Sequence, residues 1–296
     1  MRILKNALIM PLEGTMDEFT GGLYESCGEF VSGSLIKRGS PTGPQPYQET
    51  LKGTYIYGGC LFGHFGHFIW ESLTRLDIIK KCKDYPILFI SPNERIFNTQ
   101  KLFFKTLGIK NEIIVIRKPA RIEKIIYGEP QSSLYPPSMS DSLLAAMGIK
   151  RFDELSERKV WFSRTKLKYG KILNEEEIEA NLRPLGFEVI YPEKLPLLEQ
   201  IRLIATSKIV SGFTGSQFFS AFFAKNILGK FELFNRRSNV PDTIPFLLSH
   251  KDINGSVNML DIKVVDKFNL NIVSMEPEKI ISILSDTAKS VDKSFA

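Results

Sequence analysis

Histidine and cysteine are scarce in this chain, with three of each among 296 residues. The cysteines, Cys27, Cys60 and Cys82, have no CxxC spacing, which argues against a disulfide framework or a cysteine-rich zinc site and fits a reducing compartment. Nowhere do about 20 apolar residues run together, so no transmembrane helix is expected. The opening stretch MRILKNALIMPLEG is broken by Lys5, Asn6 and Pro11 and is too short for a signal-peptide core. There is no long block of like charge, no internal repeat and no low-complexity tract. These absences lead to the expectation of a folded cytoplasmic protein.

What is present fits that expectation. Hydrophobic residues make up 43% and charged residues 24% of the chain, the balance of a globular protein with a substantial core. The length allows two ordinary domains or one large α/β domain. The net charge of +6 favours anionic partners such as nucleotides or acidic glycans, and is too small an excess to call for nucleic acid.

Periodicity gives an alternating order. Residues 34–52, rich in Pro, Gly and polar side chains, read as an exposed loop. After it come TYIYGG as a strand, a helical pattern over 66–81, the strand YPILFIS, the helix ERIFNTQKLFFKTLGI, and the strands NEIIVI and IEKIIYG. Residues 129–157 read as the passage between two halves, with a short helical stretch of their own. The alternation then restarts: RKVWFSR, FEVIYP, KIVSGF and KFELFN as strands, NEEEIEANLRPLG, LLEQIRLIATS and SQFFSAFFAKN as helices. Such an order implies mostly parallel sheets covered on both faces. The last helix, within 276–296, lies beyond the series and is free to pack back on either domain.

Three stretches could carry chemistry. In GGCLFGHFGHFIWESLTRLD, residues 58–77, a continuous helix would put His64, His67, Glu71 and Arg75 within an arc of roughly 80°. Ile69, Leu73 and Leu76 would then face the core. Gly63 and Gly66 move the start of the regular helix to about His67 and leave His64 in the turn. This polar stripe has three readings: a zinc site, although the spacing is not H-E-x-x-H; helix capping with an i, i+4 ion pair between Glu71 and Arg75; or an acid/base site.

The second stretch, WFSRTKLKYGKILNEEE, gathers Arg164, Lys166, Lys168 and Lys171 after a strand, at the carboxyl end where open α/β sheets bind ligands. They suit a diphosphate or, equally, make a solvated basic loop. Asn174 and Glu177 have the spacing of a capping box. In the third stretch, KIVSGFTGSQFFSAFFAK, a strand ends at Gly212 and a helix starts near Ser216, turning the N–H groups of Gly215 and Ser216 toward a phosphate. Glu232, on the following strand, has the position of a ribose-binding acid or of a surface carboxylate.

Taken in order, these stretches resemble glycosyltransferase family 61, whose bacterial members are often labelled capsular polysaccharide biosynthesis proteins. Phe65, His67, Phe68, Glu71, Leu73, Arg75 and Leu76 carry its first pattern. Ser163, Arg164, Asn174, Glu175, Glu176, Gly186, Phe187, Glu188, Glu199 and Gln200 carry the second, and Gly212, Phe213, Thr214, Gly215, Ser216 and Glu232 the third. Thr214 stands where the family usually has His, and Glu71 where many members have Asp.

The resemblance implies a GT-B-like α/β fold, two Rossmann-like domains facing across a cleft: an acceptor-side domain over 1–150, a nucleotide-sugar-binding domain over 151–275, and the helix of 276–296 packing on the N-terminal domain. It implies an inverting glycosyltransferase of bacterial surface polysaccharide synthesis (capsule or lipopolysaccharide), with no obligatory metal and no cofactor beyond its nucleotide-sugar donor. Glu71 would be the general base, with His67 oriented by it or acting in its place, and His64 and Arg75 on the acceptor side. Arg164, Lys171, Gly215 and Ser216 would hold the diphosphate and Glu232 the ribose. The partners are a nucleotide sugar and a glycan or glycolipid acceptor, without nucleic acid, at the inner face of the membrane by peripheral association. A catalytically inactive nucleotide- or glycan-binding subunit is the alternative, prompted by Thr214. The sequence is silent on oligomeric state.

Overall fold

The computed structural model describes residues 1–15, 18–36, 38–93, 95–131, 144–145 and 148–294. The chain is an α/β protein that divides into two compact units, Met1–Ser138 and Met139–Ala296. About half of the expected passage, residues 132–143 and 146–147, lies outside the described residues. Among the described residues, no helix is long and apolar enough to cross a membrane.

The first unit is built on a seven-stranded sheet of order β3-β2-β1-β7-β4-β5-β6. Its strands are β1 (Arg2–Gly14), β2 (Phe19–Tyr24), β3 (Gly39–Pro41), β4 (Glu49–Cys60), β5 (Ile87–Ile90), β6 (Ile113–Ile116) and β7 (Ala120–Tyr127). β4 runs parallel to both β5 and β7, and β5 to β6. β1 is antiparallel to β2 and β7, so this sheet is mixed rather than mostly parallel. The first strand was hard to read because two irregularities interrupt its alternation. Asn6 takes a positive φ of 51°, and Pro11 falls in a register shift between Met10 and Glu13, where a missing N–H does least harm. Leu4, Ala7, Ile9 and Leu12 still face the core.

The second unit holds a five-stranded sheet with every pair parallel. Its strands are β8 (Ser156–Phe162), β9 (Phe187–Ile190), β10 (Ser207–Phe213), β11 (Lys230–Phe234) and β12 (Gly255–Asn258), in the order β12-β11-β10-β8-β9. The helices Glu175–Leu182 and Leu197–Thr206 connect its strands as expected. The stretch SQFFSAFFAKN is instead a 3-10 helix, Ser216–Phe223. A separate hairpin pairs β13 (Ile262–Asp266) with β14 (Asn271–Ser274). The final helix, Pro277–Ser294, packs within this second unit, where Ile280, Leu284 and Ala288 recur every four residues and join the core of Trp161, Phe213 and Phe234.

Strand order marks where an open α/β sheet is expected to bind a ligand. From β8 the chain steps outward to β9, then returns to place β10 on the other side of β8. Loops leaving neighbouring strands at such a reversal diverge, opening a crevice outside their carboxyl ends. In the second unit that crevice lies above Phe162 of β8 and Phe213 of β10. In the first unit the corresponding reversal is at β4, flanked by β5 on one side and β7 on the other.

Candidate functional site

In the first unit, the segment after β4 is not one regular helix. An α-helical turn over Phe65–His67 runs into a π-helical stretch, Phe68–Ser72, and regular helix resumes only at Leu76–Lys81. His64 precedes it in extended backbone and is exposed, as the glycines suggested. Ile69, Leu73 and Leu76 are buried as expected.

The expected stripe does not persist to Arg75. The wide turn over Phe68–Ser72 and the non-helical backbone at Leu73 and Arg75 break the i, i+4 register, and Arg75 swings toward the sheet. It is 4% exposed and forms no ion pair with Glu71; its guanidinium donates to the carbonyls of Gly128 (3.0 Å) and Gly33. It also lies over the rings of Tyr57 and Tyr127. Gly59, at φ 91°, is the residue that lets it approach, since a Cβ there would collide with Nη1 of Arg75. Arg75 therefore ties the ends of β4 and β7 together.

Glu71 takes another arginine. Arg38 comes from the segment read as an exposed loop and forks onto the carboxylate, Nε to Oε1 at 3.2 Å and Nη2 to Oε2 at 2.9 Å. Oε2 also meets Nδ1 of His67 at 2.9 Å. Arg38 is held in place over the rings of Phe19 and Phe62. Both oxygens of Glu71 are thus engaged, while Nε2 of His67 has no hydrogen-bond partner among the described residues. Nη2 of Arg38 also lies 3.3 Å from Nδ1 of His67. A ring fixed through one nitrogen by such a pair, with the other left without a partner, has the geometry of an oriented proton acceptor. Beside Glu71 lies a pocket of about 150 Å³, lined by Arg38, Cys60, Trp70, Thr74 and Arg75 among others. Typical small-molecule sites run to roughly 300–1,000 Å³, so it suits one small polar group better than a nucleotide.

In the second unit, the crevice at the reversal is bridged by Arg164. Its Nη1 donates to Oε1 of Gln217 at 2.9 Å, linking the loop after β8 to the loop after β10. Its Nε donates to the Gly170 carbonyl at 2.8 Å. Arg236, just past the end of β11, donates through Nε to the Thr214 carbonyl at 3.3 Å. Gly170, at φ 66°, leaves the space between them, because a Cβ there would fall 2.7 Å from Nη1 of Arg236 and 3.0 Å from Nη2 of Arg164; Gly215 likewise makes room for the Arg164–Gln217 pair. Burial lowers the pKa of Arg164. Burial, then the charges of Arg164 and Arg237, push Arg236 down to about 9. Guanidinium groups that repel one another at a partly dry crevice favour an anion with several oxygens.

Glu175 lies beneath this cluster, fully buried, and accepts from Trp161 Nε1 at 3.0 Å and from the Arg164 backbone N–H at 3.1 Å. Burial pushes its carboxyl from an ordinary 4.5 up to about 8. Between those values the folded chain holds a proton that the unfolded chain has released, so stability falls as pH rises through that window. In Glu175→Gln that slope should flatten. Melting temperatures at pH 5 and pH 8 would lie closer together in the variant than in the wild type; an unchanged gap would contradict the burial account.

Three further expectations need correction. Glu232 does not stand at the carboxyl end of its strand but at its centre, 3% exposed, and its side chain is satisfied internally. Asn258 Nδ2 donates to it at 2.6 Å, Thr287 Oγ1 at 3.1 Å, and Ser256 also bonds to it; Lys230 lies 3.0 Å away. Burial alone would raise its pKa, but the bonds from Ser256, Asn258 and Lys230 outweigh that and hold it below the usual value. Its carboxylate is committed to structural partners within the second unit. Glu232→Ala should cost roughly 3–5 kcal/mol in urea unfolding, yet leave nucleotide affinity unchanged below the melting temperature. A loss of affinity without loss of stability would restore the ribose role.

Asn174 makes no capping bond. Its amide bonds twice to the Ser274 backbone, at 2.9 and 3.0 Å, tying the helix start to β14. The helix dipole expected at Gly215 and Ser216 is that of a 3-10 helix, with Gly215 extended before it. Of the basic loop, Lys166 lies 3.8 Å from Glu176, and the Lys171 N–H donates to Asn271 at 2.9 Å.

Arg38, Gln217, Arg236 and Arg237 were missed. Arg236 and Arg237 carried a usable signal, since they directly follow a strand of a parallel sheet at its ligand end. Arg38 carried none, because its partner lies 33 residues away. Among the described residues, no group of three or more His, Cys, Asp or Glu is placed to hold a metal ion.

The family model described as Glycosyltransferase 61 matches residues 65–227, a span that includes the His67–Glu71 pair, Arg164 and Gln217. No curated protein matches the chain.

Proposed function

The chain belongs to glycosyltransferase family 61, and from that premise we propose that it transfers a sugar, with inversion, from a nucleotide-sugar donor to a glycan or glycolipid acceptor in building a bacterial surface polysaccharide. In this reading the two units are the halves of a GT-B enzyme, the second taking the donor and the first the acceptor. The observation that carries the reading is the guanidinium pair of Arg164 and Arg236 at the strand reversal of the second sheet. As the bond between the anomeric carbon and the diphosphate oxygen breaks, negative charge collects on the departing diphosphate. Fixed cations there stabilise the transition state more than the ground state. They supply the charge that a divalent ion supplies in other transferases, which supports transfer without a metal.

The acceptor hydroxyl attacks from the face opposite the leaving group and must lose its proton. The geometry favours His67 over Glu71 for that step, reversing the order expected from sequence. Nε2 of His67 takes the proton, and Glu71, clamped by Arg38, orients the ring and stabilises the imidazolium.

Thr214 supports a second reading, an inactive nucleotide- or glycan-binding subunit. It is 3% exposed and offers its carbonyl, not its side chain, to Arg236. The two readings separate on a panel of nucleotide sugars: release of nucleoside diphosphate with an acceptor present supports transfer. Tight nucleotide binding without turnover on any donor leaves the binding subunit.

A further inference from the structure

The hairpin of β13 and β14 exposes apolar side chains that neither site uses. Val264 and Val265 are 51% and 52% exposed, Leu270 48%, and Phe268, in the turn, 91%. Neighbouring strand residues point to opposite faces, so the ribbon is apolar on both sides near its tip. A cluster of that kind in water marks a surface that meets something else.

The tip is built rather than loose. Oδ1 of Asp266 accepts the N–H groups of Phe268 at 2.9 Å and Asn269 at 3.0 Å, and Oδ2 takes the Asn269 amide at 2.6 Å. Leu270 is held at φ 56°, a conformation that a leucine rarely adopts and that persists only where its surroundings impose it. Phe268 is therefore presented outward by a defined turn.

Charge indicates the occupant. The ribbon carries Lys263 and Lys267, both exposed, against one acid, Asp266, whose carboxylate the turn keeps ionised, so the ribbon is cationic on balance. The loop bonded to it, through Gly170 N–H to the Asn269 carbonyl at 2.7 Å, adds Lys168 and Lys171. A second copy of the chain would bring the same four lysines and be repelled. We propose that the ribbon docks on an anionic phospholipid bilayer, Phe268 and its aliphatic neighbours entering the headgroup–acyl boundary while the lysines meet the headgroups. Gly170 also accepts from Arg164, so docking holds the arginine cluster close to the lipid surface, where a lipid-borne acceptor would be presented.

Vesicle flotation tests this without any turnover, so its outcome is separate from that of the transfer reading. The full chain should float with vesicles containing phosphatidylglycerol and not with phosphatidylcholine alone. Phe268→Asp should lower the bound fraction at least tenfold, and Lys263→Gln or Lys267→Gln roughly fivefold each, all with unchanged melting temperature. No flotation with anionic vesicles would overturn the proposal, as would full binding by Phe268→Asp. So would a concentration-dependent dimer that Phe268→Asp dissolves, which would make a second copy the occupant.

Discussion

Replacing His67 by alanine should lower kcat for sugar transfer roughly 100- to 10,000-fold, the range that general acid–base groups contribute, while the Kd for nucleoside diphosphate stays where it was. The imidazole is about a third exposed and belongs to the first unit, so its loss should not disturb folding or nucleotide binding in the second. Glu71→Gln separates orientation from proton transfer. If Glu71 holds the ring through Nδ1 at 2.9 Å, the amide keeps a hydrogen bond but loses the charge that stabilises the imidazolium, and a partial loss of kcat is expected. Were Glu71 itself the base, Glu71→Gln would be the more damaging change. Wild-type kcat in His67→Ala would remove His67 from the chemistry altogether.

The second large effect concerns the leaving group. Arg236→Met should cut kcat/KM roughly 100- to 1,000-fold, as loss of one preorganised charge-stabilising donor does. It should also weaken nucleoside diphosphate binding, with little effect on the corresponding nucleoside. Arg236 is only half buried and accepts no structural load beyond one long bond to the Thr214 carbonyl. Arg164→Met should act in the same direction but also unfold at lower temperature, because it leaves the buried Gly170 carbonyl and Gln217 without their donor. Equal binding of diphosphate and nucleoside by wild type and Arg236→Met alike would place the donor elsewhere.

Legibility from sequence followed the range of the interaction. Four strands of the second unit, β8 to β11, were legible because each is a local pattern, KVWF, KIVSGF and KFELF being buried runs bounded by turns, while β12 and the β13–β14 hairpin carried no such signal. The side chains of the site depend on pairings across the fold, and there local spacing misled. Glu71 and Arg75 have ideal helical spacing, but the π-helical stretch ending at Ser72 and the non-helical backbone after it sent Arg75 into the sheet and left Glu71 to Arg38. Glu232 was misplaced for a different reason. Its strand was recognised, yet which residue reaches the ligand end depends on where the strand stops; it stops at Phe234, so Asn235 and Arg236, just beyond, hold that position. Asn174 satisfied a capping pattern and was recruited by β14 instead, a segment whose pairing nothing nearby announces.

Inverting transfer is tested most directly by one assay: purified protein incubated with a panel of nucleotide sugars, with nucleoside diphosphate release and product anomeric configuration followed with and without glycan acceptors, for wild type and His67→Ala. Acceptor-dependent release from at least one donor, an inverted linkage in the product, and collapse of both rates in His67→Ala are the predicted result. Release that ignores the acceptor, a retained configuration, or turnover untouched by the loss of His67 would contradict it.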